Sequence, residues 1–177
     1  MAVSRKFDKT ALVMGILSTL EEKHDELLDE LTSEFGPVLK VSDPVPFSYT
    51  DYYNAEMGGQ PVRYLILFQN TVDPSCLADI KKATNAIEMK FADSSNKNKQ
   101  GRRVNIDPGI LSLSSFILAT CKDRSHRIPL KDGIYAETTL IYQDKDFQRL
   151  PWTYADYSDD RVKAILRDFR SIYKNIK

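Results

Sequence analysis

The chain has 177 residues, of which 42% are hydrophobic and 28% charged, so it is long enough to bury a core and we expect one domain over residues 1–177. Its 25 Lys and Arg residues balance its 25 Asp and Glu residues, which argues against general binding to nucleic acid or to an anionic membrane. The two cysteines, Cys76 and Cys121, follow no metal or redox spacing, and no apolar run has the length of a membrane span or of a signal peptide. We therefore expect a cytoplasmic protein with two reduced, packed thiols; a single disulfide is the alternative.

The amino-terminal part of the chain predicts a strand followed by a helix. Residues 10–17 form a short apolar run that is typical of a buried strand. Ser18 and Glu21 have the spacing of a capping box, which predicts a helix that starts at Ser18 and ends at Gly36. His24 falls within the apolar stripe of this helix, where we expect a histidine at the margin of the core; a role as a ligand is the alternative.

The middle of the chain predicts two more strands and a second helix. Prolines within residues 38–49 predict an edge strand or extended segment, and the apolar run 62–69 predicts another strand. Asp73, which precedes a proline, predicts the cap of a helix that continues to Phe91. The polar segment 93–101 follows this helix, and it is the position where we expect an insertion to be tolerated best.

The last part of the chain predicts strands, a hairpin and a final helix. Residues 102–106 predict a short strand that ends in a turn at residues 107–109, and residues 113–121 predict the next strand. The Asp132-Gly133 pair between apolar segments predicts a β-hairpin with a type I′ turn. A final helix with an apolar face at helical spacing is expected from about Ser158.

The order of these elements predicts an α+β fold. Strand, helix, strand, strand, helix and strand follow one another, which is the βαββαβ order of a ferredoxin-like split βαβ core. A carboxy-terminal β-hairpin extension and a final helix complete the chain. We expect the helices to cover one face of a largely antiparallel sheet.

Polar residues lie among the strand-like segments of residues 102–157, and they form the candidate site. Alternation along the strand 134–143 places Glu137 and Ile141 on one face and Leu140 on the other. A carboxylate in this apolar surrounding needs a cation, which the neighbouring polar turn can supply. The candidates for acid–base chemistry are Glu137, Asp107 and His126. The ligand-binding candidates are Lys122, His126, Arg127, Arg103 and Tyr135.

Two interpretations of these residues remain open. In the first, Glu137 and Asp107 are acids or metal ligands in a cleft whose cations bind an anion. In the second, Glu137 forms a structural salt bridge with Arg127 or Lys122, and Asp107 only starts a turn. A zinc site has no support in the spacing, and we predict no metal-binding residues. A magnesium ion held by Glu56, Asp107 or Glu137 is an option that nothing in the sequence specifies.

Several phrases of the chain are specific in combination. They are residues 50–53 and 56–58, 105–109, 122–123 with 126–128, 133–137 and 152–154. Together they resemble one uncharacterised bacterial family of unknown function, some of whose members are labelled GTP-binding proteins. The resemblance covers nearly the whole chain, and it implies no established activity, cofactor or site residue.

The label of GTP binding finds no motif in this sequence. Gly58-Gly59 is followed by Gln60-Pro61, whereas a P-loop needs Lys and Ser or Thr there to hold phosphate and magnesium. The aromatic residues at 52–53 and 152–157 are compatible with a base-stacking pocket, or with simple packing over a sheet face. We expect a small protein that binds a polar ligand bearing phosphate or carboxylate, a nucleotide among the options. The alternative is a non-enzymatic interaction or dimerisation module, and a homo-oligomer fits either reading.

Overall fold

The central strand of the fold is β1 (Thr10–Ser18), and all nine of its residues are buried. The computed structural model describes residues 3–20, 23–49, 57, 59–92, 101 and 103–177. Within these residues, β1 pairs with β4 (Val62–Val72) on one side and with β5 (Val104–Leu111) on the other, antiparallel in both cases. A strand that is buried along its whole length needs apolar cover on both faces of the sheet.

The described residues form one nine-stranded antiparallel sheet. The remaining strands are β2 (Val38–Val41), β3 (Val45–Pro46), β6 (Ser115–Thr120), β7 (Ile128–Lys131), β8 (Ile134–Gln143) and β9 (Asp146–Arg149). The spatial order is β2-β4-β1-β5-β6-β8-β7, while β3 pairs with β4 and β9 pairs with β8. The four strands of the predicted core, the strand predicted at residues 113–121 and the two strands of the hairpin make seven, so the sheet has two strands more than we predicted.

Helices cover both faces of this sheet, and the prediction that they cover one face is wrong. The helices are α1 (His24–Phe35), α2 (Leu77–Lys90) and α3 (Asp160–Ile176). Leu27 of α1 and Ile80 of α2 pack in one core cluster with Met14 of β1. Leu166 of α3 packs in a second cluster with Val13, whose side chain points to the other face. The reason is that both faces of β1 are apolar, so neither can be left in water.

Several elements follow the local signals in the sequence. Asp73 accepts a hydrogen bond from the Ser75 N–H (2.9 Å) and caps the 3₁₀ turn that leads into α2. Asp132 and Gly133 have φ angles of 54° and 75°, which confirms the predicted hairpin turn between β7 and β8. The last helix begins after Asp159, whose carboxylate accepts from the N–H two residues later.

The predicted start of the first helix is wrong. Ser18 is the last residue of β1 and pairs with Val62 on one side and Val104 on the other, so the sheet keeps this residue extended. The helix begins at His24 instead. The half-buried His24 ring packs edge-on against Tyr64, with ring centroids 4.8 Å apart, and this is the expected place at the margin of the core.

The predicted turn at residues 107–109 is also wrong. These residues lie inside β5, whose eight residues pair with β1 without interruption. Pro108 lies opposite Met14. The local turn signal of Asp, Pro and Gly is overridden because the neighbouring strand holds this segment extended over its whole length.

A bulge in β8 changes which side chains share a face. Glu137 lies opposite Leu118, whereas Leu140 lies opposite Phe116, and the register shifts between these two pairs. Positions 116 and 118 of one strand face the same side, so Glu137 and Leu140 do as well. The predicted alternation is therefore wrong for Leu140, which is buried, and for Ile141, which is exposed.

The strand β9 has no counterpart in the sequence prediction. Asp144 and Lys145 have φ angles of 53° and 65°, and they reverse the chain into β9. This is the conformation of a type I′ turn, but the pair lacks the glycine by which such turns are usually recognised.

The remaining predictions concern residues outside the described part of the chain, the two cysteines and membrane-spanning helices. Residues 93–100 of the predicted polar segment and the aromatic pair at 52–53 lie outside the described residues. Cys76 and Cys121 are free, but both are exposed rather than packed. In the part of the chain that the structure describes, no helix has the length and apolar character needed to cross a membrane.

Candidate functional site

A cavity of about 540 Å³ lies where β5 and β6 separate. The two strands pair only at Gly109–Leu111 and Phe116–Leu118, and beyond that point each continues without the other. Pro108, which has no N–H to donate, is the first residue of β5 past the paired part. Among the described residues, four cations and four carboxylates line the cavity. The cations are Arg63, Lys81, Lys122 and Arg127, and the carboxylates are Glu88, Asp107, Glu137 and Asp156.

An ion pair on α2 forms hydrogen bonds with the backbone groups of β5 that face the gap. The Ile106 carbonyl accepts from Lys81 Nζ (2.6 Å), and the Ile106 N–H donates to Glu88 Oε1 (2.9 Å). Lys81 and Glu88 also lie 3.4 Å from each other, and both are buried. These two side chains take the place of the strand that is missing from the gap, so buried backbone groups keep their hydrogen bonds.

Arg63 is the centre of the acidic end of the cavity, which we define as Arg63, Asp107 and Asp156. The Arg63 side chain lies on β4 and is buried, with the residue 3% exposed. Its Nη2 contacts Asp156 Oδ2 at 2.7 Å, and its Nη1 lies 3.4 Å from Asp107 Oδ2. Two carboxylates therefore share one guanidinium. Among the described residues, Arg63 Nε has no hydrogen-bond partner.

Aromatic rings and a glycine hold Arg63 in place. Its guanidinium carbon lies 4.9 Å from the Tyr157 ring centroid and 5.8 Å from that of Phe47. Nη1 also donates to the Tyr157 hydroxyl (3.1 Å). Gly15 of β1 lies directly beneath, where a Cβ atom would come within 2.7 Å of Arg63 Nη1 and closer still to the Tyr157 hydroxyl. Only glycine leaves room for this contact.

The electrostatics of the acidic end follow from burial and from shared charge. Burial raises the pKa of the Asp156 carboxyl, Arg63 opposes this effect, and Asp107 adds to it. Burial also disfavours the charged form of Arg63, but Tyr157 and the two carboxylates outweigh that effect and raise its pKa. Arg63 is therefore a permanent cation. Its single positive charge lies against two carboxylates, Asp107 and Asp156, which together carry more negative charge than it can balance.

The second cluster is the basic end of the cavity, which we define as Lys122, Arg127 and Glu137. Glu137 is 2% exposed, and its Oε2 accepts from Arg127 Nε at 2.7 Å. Arg127 further donates to the Lys122 carbonyl (2.7 Å) and to the Tyr154 hydroxyl (3.2 Å). Burial disfavours its charge, but the hydrogen bond to Glu137 has the opposite effect and its pKa is raised. The geometry is that of a buried ion pair with most donors satisfied.

His126 and Trp152 close the outer side of this ion pair. His126 Nε2 lies 3.0 Å from Glu137 Oε2, and its ring stacks on Trp152 with centroids 4.9 Å apart. The Trp152 indole N–H donates to the Thr138 carbonyl (2.9 Å), and the Thr153 hydroxyl donates to the carbonyl of the next residue of β8 (2.6 Å). These side chains cover the edge of β8 between its partners β7 and β9.

The structure brings together four of the seven predicted site residues. Asp107, Lys122, Arg127 and Glu137 all line the cavity. The other three predicted residues are not among the described residues that line the cavity. His126 contacts Glu137 from outside, Arg103 donates to the Thr19 hydroxyl (3.0 Å), and Tyr135 lies in β8 between Thr120 and Pro129.

The sequence prediction missed four charged residues of the cavity. They are Arg63, Asp156, Lys81 and Glu88. A signal for the first was present, because an arginine near the start of the apolar run 62–69 predicts a buried charge that needs partners. Lys81 and Glu88 are seven residues apart, which places them on the same face of α2. Only the tertiary fold shows that this face reaches the gap.

The described residues contain no group of three or more His, Cys, Asp or Glu side chains arranged to hold a metal ion. Asp107 and Asp156 are two carboxylates at one end of the cavity, and Arg63 already lies against both. The guanidinium of Arg63 thus already lies between the two carboxylates that a metal ion would use. A divalent ion at the same place would have to compete with that guanidinium.

The fold and the cavity define a class: an α+β protein whose antiparallel sheet is opened between two strands by a charge-lined cavity. Over residues 8–173 the chain matches the family model described as Domain of unknown function (DUF4416), and it belongs to this family. Membership confirms the resemblance to an uncharacterised family. No curated protein and no solved structure matches the chain.

Proposed function

We propose that this protein binds a small polar molecule bearing a phosphate or carboxylate group, with nucleotides among the candidates, in the cavity between β5 and β6. The observation that supports the proposal is the separation of the two strands around about 540 Å³ lined by eight charged side chains. Ligand cavities commonly have volumes of about 300–1,000 Å³. A fold that served packing alone would gain stability by closing this gap with apolar side chains.

The anionic group of the ligand would contact Lys122. Three of the four lining cations are held by carboxylates: Arg63 by Asp156, Lys81 by Glu88 and Arg127 by Glu137. Among the described residues, the Lys122 ammonium has no ion-pair partner. Lys122 is exposed and lines the cavity, and a compact ammonium on a flexible stem is suited to contact with a phosphate or carboxylate.

We also propose that the sheet contains a ferredoxin-like core. The order β2-β4-β1-β5 corresponds to that of a ferredoxin-like split βαβ core, and β6 to β9 with α3 then extend that core within a single domain. The free cysteines are compatible with a reducing compartment, so we place the protein in the cytoplasm.

A thermal-shift screen tests the proposal. Nucleotides, sugar phosphates and carboxylic acids are added with and without magnesium, because a ligand that binds only the folded state must raise the melting temperature. At ten times its Kd, a ligand contributes about 1.4 kcal/mol, which for a protein of this size raises Tm by roughly 3–6 °C. The shift should disappear in Lys122→Gln and persist in Lys6→Gln, an exposed control. A screen without any shift contradicts the proposal.

The alternative function is a dimerisation or interaction module, and the edge strand β7 favours it. All four residues of β7 are exposed, including Ile128 (64%) and Leu130 (42%). An uncovered edge with apolar side chains is suited to pairing with a partner strand, although Pro129 removes one donor. Light scattering on the wild type and on Leu130→Lys tests this alternative. A wild-type dimer that the substitution dissociates would favour the dimerisation module.

A further inference from the structure

We infer that the ligand carries a protonated amine as well as its anionic group, so that a zwitterion spans the cavity from Asp107 to Lys122. The inference deepens the proposed function and rests on it. The observation behind it is that, among the described lining residues, each end of the cavity has one more charge of one sign than of the other.

The acidic end has an excess of negative charge. Asp107 and Asp156 together carry two negative charges against the single positive charge of Arg63. Asp156 is the closer partner of the guanidinium, at 2.7 Å, whereas Asp107 is 3.4 Å away. The Asp107 side chain is also 28% exposed, compared with 3–8% for the other three lining carboxylates. Asp107 is therefore the carboxylate left over for an incoming ammonium group.

The basic end has an excess of positive charge. Arg127 and Lys122 carry two positive charges, and the carboxylate that we assign to this end, Glu137, pairs with Arg127. The remaining pair, Lys81 with Glu88, has one charge of each sign, and both side chains form hydrogen bonds with the backbone of β5. Among the described lining residues, we therefore assign the unbalanced charges to Asp107 and Lys122.

The register of the strands places these two residues on opposite sides of the gap. Gly109 lies opposite Leu118, so continuing the pairing across the gap would place Asp107 opposite Thr120. Lys122 follows two residues after Thr120, which is the last residue of β6. A zwitterion that reaches both sides of the gap therefore needs several bonds between its amine and its anionic group.

A ligand with negative charge alone is disfavoured in the same cavity. The described lining residues include as many carboxylates as cations, so together they supply no net positive charge to attract a polyanion. A second anionic group placed near Asp107 would add repulsion in a partly buried site, where charges are weakly screened. An amine at that position removes the repulsion and forms a charge-assisted hydrogen bond.

Matched pairs of compounds test the inference by calorimetry and thermal shift. Each pair differs only by the amine: γ-aminobutyrate with butyrate, ε-aminocaproate with caproate, and phosphoethanolamine with ethyl phosphate. We expect the amine-bearing member of at least one pair to bind tenfold or more tightly than its partner, because a hydrogen bond to a charged group is worth roughly that factor or more. Butylamine, which lacks the anion, should bind more weakly than γ-aminobutyrate.

Variants connect the effect to the two residues. Asp107→Asn should remove the preference for the amine while it retains binding of the anion, and Lys122→Gln should weaken both members of a pair. Asp123→Asn, in the exposed turn next to Lys122, and Lys6→Gln should behave as wild type. Because Lys122 is exposed, its substitution leaves the fold intact even if Asp107→Asn proves unstable.

The outcomes separate the inference from the proposed function. If anions bind and their amine-bearing partners bind no better, the inference is wrong and the proposed function stands. If Asp107→Asn folds and retains the preference for the amine, the amine does not lie at Asp107 and the inference is again wrong. If neither these pairs nor the compounds of the wider screen bind, both fail.

Discussion

Replacement of Glu137 by glutamine tests the ion pair that holds the basic end of the cavity. The carboxylate is buried and accepts from Arg127 Nε at 2.7 Å. Glutamine keeps the shape and one acceptor oxygen but removes the charge that the buried guanidinium needs. Breaking a buried pair from one side costs about 3–5 kcal/mol, and the retained acceptor places the expected loss near 3 kcal/mol. For a protein of this size, that loss lowers Tm by about 6–12 °C.

Chemical denaturation of the two single variants and the double variant measures this effect. Arg127→Met leaves the Glu137 carboxylate buried without its cation, so it should be strongly destabilising as well. The double variant should lose clearly less than the sum of the two single losses, which is the signature of a direct interaction. Asp132→Asn removes an ion pair at the surface, with Lys82, and serves as the control without a measurable change. A Glu137→Gln protein within about 0.5 kcal/mol of wild type would refute the reasoning.

Three further predictions concern the supports of the cavity. Gly15→Ala should cost about 1–3 kcal/mol in chemical denaturation because its Cβ meets buried side chains, whereas Gly59→Ala, with 3.7 Å of clearance, should not; equal stabilities would contradict the packing. Glu88→Ala should accelerate hydrogen exchange of the Ile106 amide, whose acceptor it removes, and unchanged protection would show another acceptor. Asp159→Ala should cost about 1 kcal/mol near neutral pH through the lost helix cap. Hydrogen bonds from Arg161 hold the pKa of the Asp159 carboxyl below its ordinary 3.8, so the stabilisation that this carboxylate gives the folded state is fully present above pH 3.8. This stabilisation is lost as the pH falls further. The difference in unfolding free energy between wild type and Asp159→Ala should therefore shrink in acid, and a difference that stays constant would contradict this.

Much of the local structure could be predicted from the sequence. The hairpin at Asp132-Gly133 and the cap at Asp73 depend on residues close together in the chain, and both predictions are confirmed. The segment 107–109 shows the limit of such signals. Its residues favour a turn in isolation, but pairing with β1, nearly a hundred residues earlier in the chain, keeps it extended.

The site could be predicted only in part, for a related reason. Glu137 lies in β8 and Arg127, ten residues earlier, directly precedes the neighbouring strand β7, so a buried carboxylate and its cation could be paired from the sequence. Arg63 and Asp156 are separated by about half of the chain, and only the tertiary fold brings them into contact. The gap itself follows from where β5 and β6 stop pairing, which no local pattern specifies.

The most direct test of ligand binding in the cavity is a titration of isotope-labelled protein with ε-aminocaproate and, in parallel, inorganic phosphate, followed by amide chemical shifts. Residues 105–107 and 120–122 lie on the two sides of the gap, and the exposed strand β7 serves as the reference surface. Our account predicts saturable shifts on both sides of the gap for at least one of these probes, and none in β7. Shifts confined to β7 or to other surfaces, or no saturable shift with either probe, would contradict it.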